Sequence, residues 1–411
     1  MHIAAALIGL AVAVAACEAG QPPIAKIQAI ENPAATGAQF PRLASLPGGG
    51  ILMSWVEPLA EGHILKFGVL RDGQWVRQGE VTRGDDWFIN WSDFPSVAAI
   101  DKSFWVAHWL VKQKGGRTHD YDIAMSISND AGVTWSAPKS PHLDRSATEH
   151  GFAVIFPAGG DAGIIWVDGG LLARKDRAKH PPKSRNFTLR YTRIHRDGRL
   201  DAEQVIDDNT CTCCWPAVAV TPAGPVAAWR GRTDGEIRDH RVALLRNGKW
   251  SAPMPLGNEG WEINGCPVNG PVLAARGAQV VAAWFTAEGG HPRVRAAFST
   301  DGGRSFGQPI EVDKANPSGR IGIAWSNDRT AVVSWITAAN AATAGASLAL
   351  RKLYTDGSSG PVRRMTEISG WDTGVPQLIA SGPALLMAWT GDAPRYGIHT
   401  AAVPSGALVA H

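Results

Sequence analysis

Short apolar runs that end in tryptophan recur along the chain: Ile51 to Trp55, Trp105 to Trp109, Gly163 to Trp166, Pro225 to Trp229, Val280 to Trp284, Ala331 to Trp335 and Leu385 to Trp389. Successive tryptophans are 54, 57, 63, 55, 51 and 54 residues apart. A shorter apolar segment opened by proline precedes many of these runs, as at Pro41, Pro95, Pro216 and Pro376. An alternating segment follows, as at Tyr121 to Ser128, Val242 to Leu245 and Val294 to Ser299, and then a glycine turn. Apolar pieces this short, bounded by turn residues, are strands and not helices.

A fourth short strand after the turn completes each unit. Four-stranded units at this period predict an all-β fold, a β-propeller of small sheets arranged radially. A single blade cannot bury both faces; a closed ring of neighbours buries them and leaves only short edges. The repeat tryptophans are therefore expected between blades. The last unit, 376–404, holds three strands, and Ile24 to Ile30 is expected to supply its fourth and close the ring. Seven blades are favoured, with six the alternative if the terminal units merge. The domain plan is a leader over 1–17, a linker and closing strand over 18–40, and a propeller over 41–411.

Composition narrows the function. Forty Lys and Arg against 37 Asp and Glu leave a formal charge of +3, which excludes the strong basic field of a nucleic-acid binder. The 46 glycines and 27 prolines suit a turn-rich β protein. The apolar run Ile3 to Val14 is too short to span a membrane and ends in Val14-Ala15-Ala16-Cys17, which resembles a bacterial lipobox with Cys17 as the lipidation site. A simple secretory leader is the alternative. Both readings predict an exported protein, periplasmic or anchored at the outer membrane, touching the membrane only through lipid, and a monomer.

At the turn after the third strand, Ser128-Asn129-Asp130-Ala131-Gly132-Val133-Thr134-Trp135 and Ser299-Thr300-Asp301-Gly302-Gly303-Arg304-Ser305-Phe306 match the Asp box, Ser-x-Asp-x-Gly-x-Thr-Trp. The chain thereby resembles the sialidase superfamily of Asp-box propellers, and the repeat covers nearly all of it. The box is structural: its aspartate accepts backbone N–H groups and its glycine takes positive φ.

Propeller geometry puts the loops before strand one and after strand two on one rim, where the unusual side chains concentrate. Two carboxylates near the axis are expected to do any hydrolytic work, chosen from Asp93, Glu149, Asp168 and Glu236. Candidate binding residues are Arg42, Trp91, His150, Arg230, Arg232, Arg238, Trp261 and Arg320, with Trp87 and Trp371 as further stacking surfaces. The resemblance implies a glycan or acidic-sugar ligand, three arginines on its carboxylate (Arg42, Arg238 and Arg320), a tyrosine nucleophile with a glutamate, and an aspartate as acid and base. Phe40-Pro41-Arg42-Leu43 holds the family's Phe-Arg-Ile-Pro motif only in scrambled order, and Tyr121 and Tyr396 are the tyrosines near rim loops.

Cysteine usage supplies a second reading. Cys211, Cys213 and Cys214 lie in the loop before blade four and Cys266 in the loop before blade five. An even number of cysteines in an exported chain suits two disulfides. Neighbouring cysteines have Cα atoms only ~3.8 Å apart, below the usual bridging distance, so a thiolate cluster for Cu(I) or Zn, with His150 as a further candidate ligand, is the other outcome. A rim that only binds another protein is a third.

Overall fold

The computed structural model describes residues 27–170, 186–339, 345–370, 372–394 and 396–404. The leader ending at Cys17, and Trp371, lie outside them.

Seven antiparallel sheets follow one another along the chain. Blade one is Gln39–Ser45, Ile51–Pro58, His63–Arg71 and Gln74–Gly84. Blade two is Ser96–Ala99, Trp105–Lys112 and Tyr121–Ser128. Blade three is His150–Ala158, Asp161–Asp168, Phe187–Ile194 and Gln204–Thr210. Blade four runs through Ala217–Thr221, Gly224–Arg230 and His240–Arg246 to the short pieces Lys249–Trp250 and Met254–Pro255. Blade five is Val272–Arg276, Gln279–Thr286, Arg293–Ser299 and Ile310–Asp313. Blade six is Pro317–Asn327, Thr330–Thr337, Ala346–Tyr354 and Arg363–Ile368. Blade seven joins Gln377–Ser381, Ala384–Thr390 and Ile398–Pro404 to Gln28–Ile30 from the other end of the chain.

The first strand of every blade packs against the first strand of the next, and that of blade seven against that of blade one, so the ring is closed. These seven strands surround a central channel of about 440 Å³ whose wall includes Leu43, Val154, Leu273 and Ile323.

The expectation of a fourth strand in every blade fails in blade two. The segment after its Asp box, Ser136-Ala137-Pro138-Lys139-Ser140-Pro141, makes a single bridge between Lys139 and Met125. Proline cannot donate to a ladder, and with prolines at 138 and 141 the segment's backbone otherwise meets that of the third strand only through the Ser136 amide on the Ile127 carbonyl (2.8 Å). Pro253 likewise divides the outer edge of blade four.

All seven repeat tryptophans are buried. Five donate their indole N–H to a carboxylate: Trp55 to Glu57 (2.7 Å), Trp166 to Asp168 (3.0 Å), Trp229 to Asp207 (2.7 Å), Trp284 to Glu259 (2.9 Å) and Trp335 to Asp313 (2.7 Å). Each ring thus contributes roughly 4–6 kcal/mol of apolar burial without stranding its one donor. Both Asp boxes form as expected. Asp130 accepts from the Thr134 amide (2.9 Å) and Asp301 from the Ser305 amide (3.0 Å). Bonds from the Thr134 hydroxyl and amide hold Asp130 down at about 2, and in Asp301 burial is outweighed by bonds from the Ser305 and Ser299 hydroxyls and the Ser305 amide, which hold it at about 2 as well.

Candidate functional site

The rim opposite the Asp boxes gathers the candidate side chains into four groups, each assembled from more than one loop. The first is built on Tyr121, which opens the third strand of blade two and pairs beside Glu149. Its hydroxyl lies 2.7 Å from Asp93 Oδ2 and 3.1 Å from Glu149 Oε1. A phenol carries one proton and both carboxyls are in hydrogen-bond contact with it, so one carboxyl must itself be protonated to donate back. Burial is the leading cause of this: it raises Asp93 to about 7 against the bond from Tyr121, and raises Glu149 to about 8 with the charge of Asp93 adding to it. Burial and both carboxylates push Tyr121 well up as well, so its phenol stays neutral. Phe88 stacks on the tyrosine ring at 4.1 Å and fixes its plane. Gly151 makes the arrangement possible, because a Cβ there would stand 2.1 Å from Asp93 Oδ2 and 2.7 Å from the Tyr121 hydroxyl.

The second group is Arg42, in the first strand of blade one just past a register shift. Its guanidinium lies 5.9 Å from the centre of the Phe94 ring. It lines the mouth of the channel and a small hollow of about 30 Å³ shared with Ser92, Asp93, Ser96 and Phe152. Among the described residues it has no acid or carbonyl partner. Burial lowers its pKa, and burial together with the Arg42 charge pulls nearby His108 down to about 3.

The third group corrects several expectations. Arg230, 1% exposed, spends its donors on the carbonyls of Asn269 (3.2 and 2.9 Å), Arg238 (2.8 Å) and Phe285 (2.8 Å), with its plane 4.9 Å from the Trp261 ring. It staples blade four to blade five. Arg232 and Arg238 both grip Glu236, so that carboxylate is neither a free acid nor a free base and its pKa is lowered. Arg320 bonds the carbonyls of Gly370 (2.5 Å) and Gly374 (3.2 Å) and stacks 4.0 Å from Trp91. The expected three-arginine clamp is therefore absent among the described residues; Arg42 alone of its members faces a hollow with its guanidinium uncommitted.

Asp168 is also drawn into packing. It is fully buried, accepts from Trp166, from the Gly170 amide (2.9 Å) and from His150 Nδ1 (3.1 Å), and stands 3.6 Å from Arg190. Burial works against ionisation, yet the His150 bond and charge win and hold it at about 2. His150 is raised in turn, burial being outweighed by Asp168. Its second nitrogen faces the Ser146 carbonyl at 3.4 Å and its ring stacks on His142 at 4.3 Å. Both nitrogens of His142 are spoken for, by the Ile123 amide (3.2 Å) and the Asp144 carbonyl (2.8 Å). Asp122, His142 and His150 lie within 4.8 Å of one another but form a hydrogen-bonded corner without a spare nitrogen lone pair.

The fourth group is the cysteines, whose sulfurs come together across the seam between blades four and five. Cys211 Sγ is 3.9 Å from Cys213 Sγ and 3.6 Å from Cys214 Sγ, and Cys266 reaches over to contact Cys213 and, at 3.5 Å, the Thr212 hydroxyl. All four are free thiols, so the disulfide alternative is not what the structure contains. Tyr121 was legible only as a tyrosine near a rim loop; nothing in sequence pairs it with two carboxyls. Gly151 carries no sequence signal beyond being a glycine next to His150.

A scan against protein-family models and a search of curated proteins find no match for this chain. Solved structures share its shape at low identity. An α-L-arabinofuranosidase from Fusarium graminearum, in complex with an iminosugar inhibitor, is 12% identical with a TM-score of 0.49, over 94% of this chain and 98% of that one. The NanB sialidase of Streptococcus pneumoniae is 10% identical with a TM-score of 0.48, over 88% and 84%. The Trypanosoma rangeli sialidase is 12% identical with a TM-score of 0.46, over 82% and 57%. The likeness is one of fold.

Proposed function

We propose that this rim binds a carboxylate-bearing sugar and acts on its glycosidic bond. The observation that carries the reading is Arg42: an uncommitted guanidinium at the channel mouth, in the same hollow as Asp93. A half-buried cation without a counter-ion is incompletely solvated, and a ligand carboxylate meets its planar fork in a bidentate way. The group beside it supplies acid–base chemistry. A glutamic acid raised to about 8 still carries its proton at neutral pH and can donate it to a leaving oxygen. Two hydrogen bonds, 2.7 and 3.1 Å, tie both carboxyls to the one Tyr121 hydroxyl and keep the two acids side by side. A neighbouring hollow of about 520 Å³, lined in part by Trp91, Asn269 and Arg320, is of a size for the rest of a small glycan.

In this reading the protein works outside the cytoplasm, with Cys17 as its lipid anchor. The test is binding and turnover of sialosides, uronides and neutral arabinosides by the purified protein, its Arg42→Met variant and its Glu149→Gln variant. Saturable binding of an acidic sugar that disappears in Arg42→Met is expected, with binding kept and turnover lost in Glu149→Gln. No retention of any carboxylated sugar, or equal affinity for neutral ones, refutes it.

A further inference from the structure

Of the four rim cysteines only Cys266 lines the 520 Å³ hollow of that reading, and the arrangement of the four sulfurs is specific in itself. In a tetrahedral thiolate site with metal–sulfur bonds of ~2.3 Å, neighbouring sulfurs stand ~3.8 Å apart, whereas a disulfide holds them at ~2.05 Å. The separations of 3.6 and 3.9 Å around Cys211 match the first distance. The sulfurs of Cys211, Cys213 and Cys214 all lie within 4.8 Å of one another, and Cys266, from the adjoining loop, stands at the edge of this group in contact with Cys213. Cys211 and Cys214 are buried, Cys213 is half-buried and Cys266 is exposed, which gives a shielded floor with one open side for a metal to enter.

Two hydrogen-bond donors face the sulfurs at the floor of the cluster. The Asn269 amide donates to Cys214 Sγ at 3.3 Å and Arg238 Nη1 to Cys211 Sγ at 3.5 Å. Such donors orient ligand sulfurs and tune them. Four thiolates around a divalent ion, or three around a monovalent one, carry two negative charges. Arg238 touches the cluster, Arg230 is near enough for its charge to act on Cys211 and Cys214, and Arg232 offsets Glu236, so the residues around the sulfurs supply two positive charges. The charges of site and shell cancel.

We propose that Cys211, Cys213, Cys214 and Cys266 form a thiolate site for one soft d10 cation, Zn(II) or Cu(I), seated at the seam between blades four and five. Zn(II) would use all four sulfurs; Cu(I) would use the three from the Cys-Thr-Cys-Cys segment.

The experiment uses the full chain and needs no sugar, so its result is independent of the glycan reading. Protein purified without reductant is stripped with chelator, the cysteines are alkylated and mapped by mass spectrometry, and stripped protein is titrated with Zn(II) and, anaerobically, with Cu(I) against competing chelators. Four alkylated rim thiols, protected once metal is added, and one ion bound per chain are expected. Cys214→Ser should abolish tight binding of either metal; Cys266→Ser should abolish only that of Zn(II). Arg238→Gln should weaken binding about tenfold to a hundredfold. Unchanged circular dichroism and thermal unfolding of stripped Cys266→Ser separate loss of a ligand from loss of the fold. Rim cysteines recovered as disulfides, no uptake of either ion, or undiminished uptake by Cys214→Ser would each overturn the proposal.

Discussion

Asparagine in place of Asp93 tests the shared proton directly. Asp93 is almost fully buried and its carboxyl is raised from an ordinary value near 3.8 to about 7, chiefly by burial. A raised carboxyl binds more protons in the folded than in the unfolded chain. Its stabilising contribution is fully present below pH ~4 and is lost as pH rises through about 7. The displacement corresponds to roughly 4 kcal/mol, a large part of the roughly 5–15 kcal/mol that holds a folded domain together. Wild-type protein should therefore lose up to about 4 kcal/mol between pH 4 and pH 8 through this residue, while Asp93→Asn, which has nothing to ionise at that position, should lose much less. Glu149, no longer facing a second carboxylate, should also titrate lower in the variant. Urea unfolding at half-unit pH steps, in chelator and at fixed ionic strength, measures both slopes. Infrared absorption of a protonated carboxyl at pH 6, weakened in the variant, reports the proton itself. Parallel pH profiles, or a wild type that gains stability relative to the variant as pH rises, would refute the reasoning.

Other substitutions probe the remaining groups. Gly151→Ala forces a methyl group onto Asp93 and Tyr121 and should cost about 1–3 kcal/mol in thermal or urea unfolding while removing the protonated-carboxyl signal. Arg230→Met leaves the carbonyls of Asn269, Arg238 and Phe285 without donors and should cost about 3–5 kcal/mol, read as a lower urea midpoint. Arg42→Met should leave the melting temperature unchanged or raised, because it removes a half-buried charge that has no partner among the described residues, and His108 should then titrate higher in pH-dependent NMR. Asp130 and Asp301, held at about 2, contribute stability that is present above pH ~4 and lost as pH falls through 2. The double variant Asp130→Asn, Asp301→Asn should therefore lose less on acidification than wild type, followed by circular dichroism from pH 5 to pH 2.

The architecture was legible because it is repetitive. A tryptophan every 51 to 63 residues reflects packing that every blade must satisfy, so each unit restates the rule, and two intact Asp boxes mark the turns. The departures came where local chemistry broke the repeat, as where prolines left blade two without a fourth strand. Convergence of the cysteines was legible too, since adjacent blades must bring adjacent loops together. Their state was not, because whether sulfurs stand 2 or nearly 4 Å apart depends on the loop backbones. The arginines misled for a related reason: a guanidinium in a rim loop looks available until the carbonyls facing it are known. For Arg230 those carbonyls come from Asn269 and Phe285, dozens of residues away.

Sequence alone determined the wheel, its closure by the N-terminal strand, the rim on which the candidate side chains gather and the set of side chains found there. Those follow from periodic burial and turn chemistry, which are local. Only the tertiary structure decided that Asp168, Glu236 and Arg230 are held by neighbours, that Tyr121 shares a proton between Asp93 and Glu149, and that Arg42 is left uncommitted. A polar group's chemistry depends on its solvation and its partners, and in a ring those partners arrive from other blades.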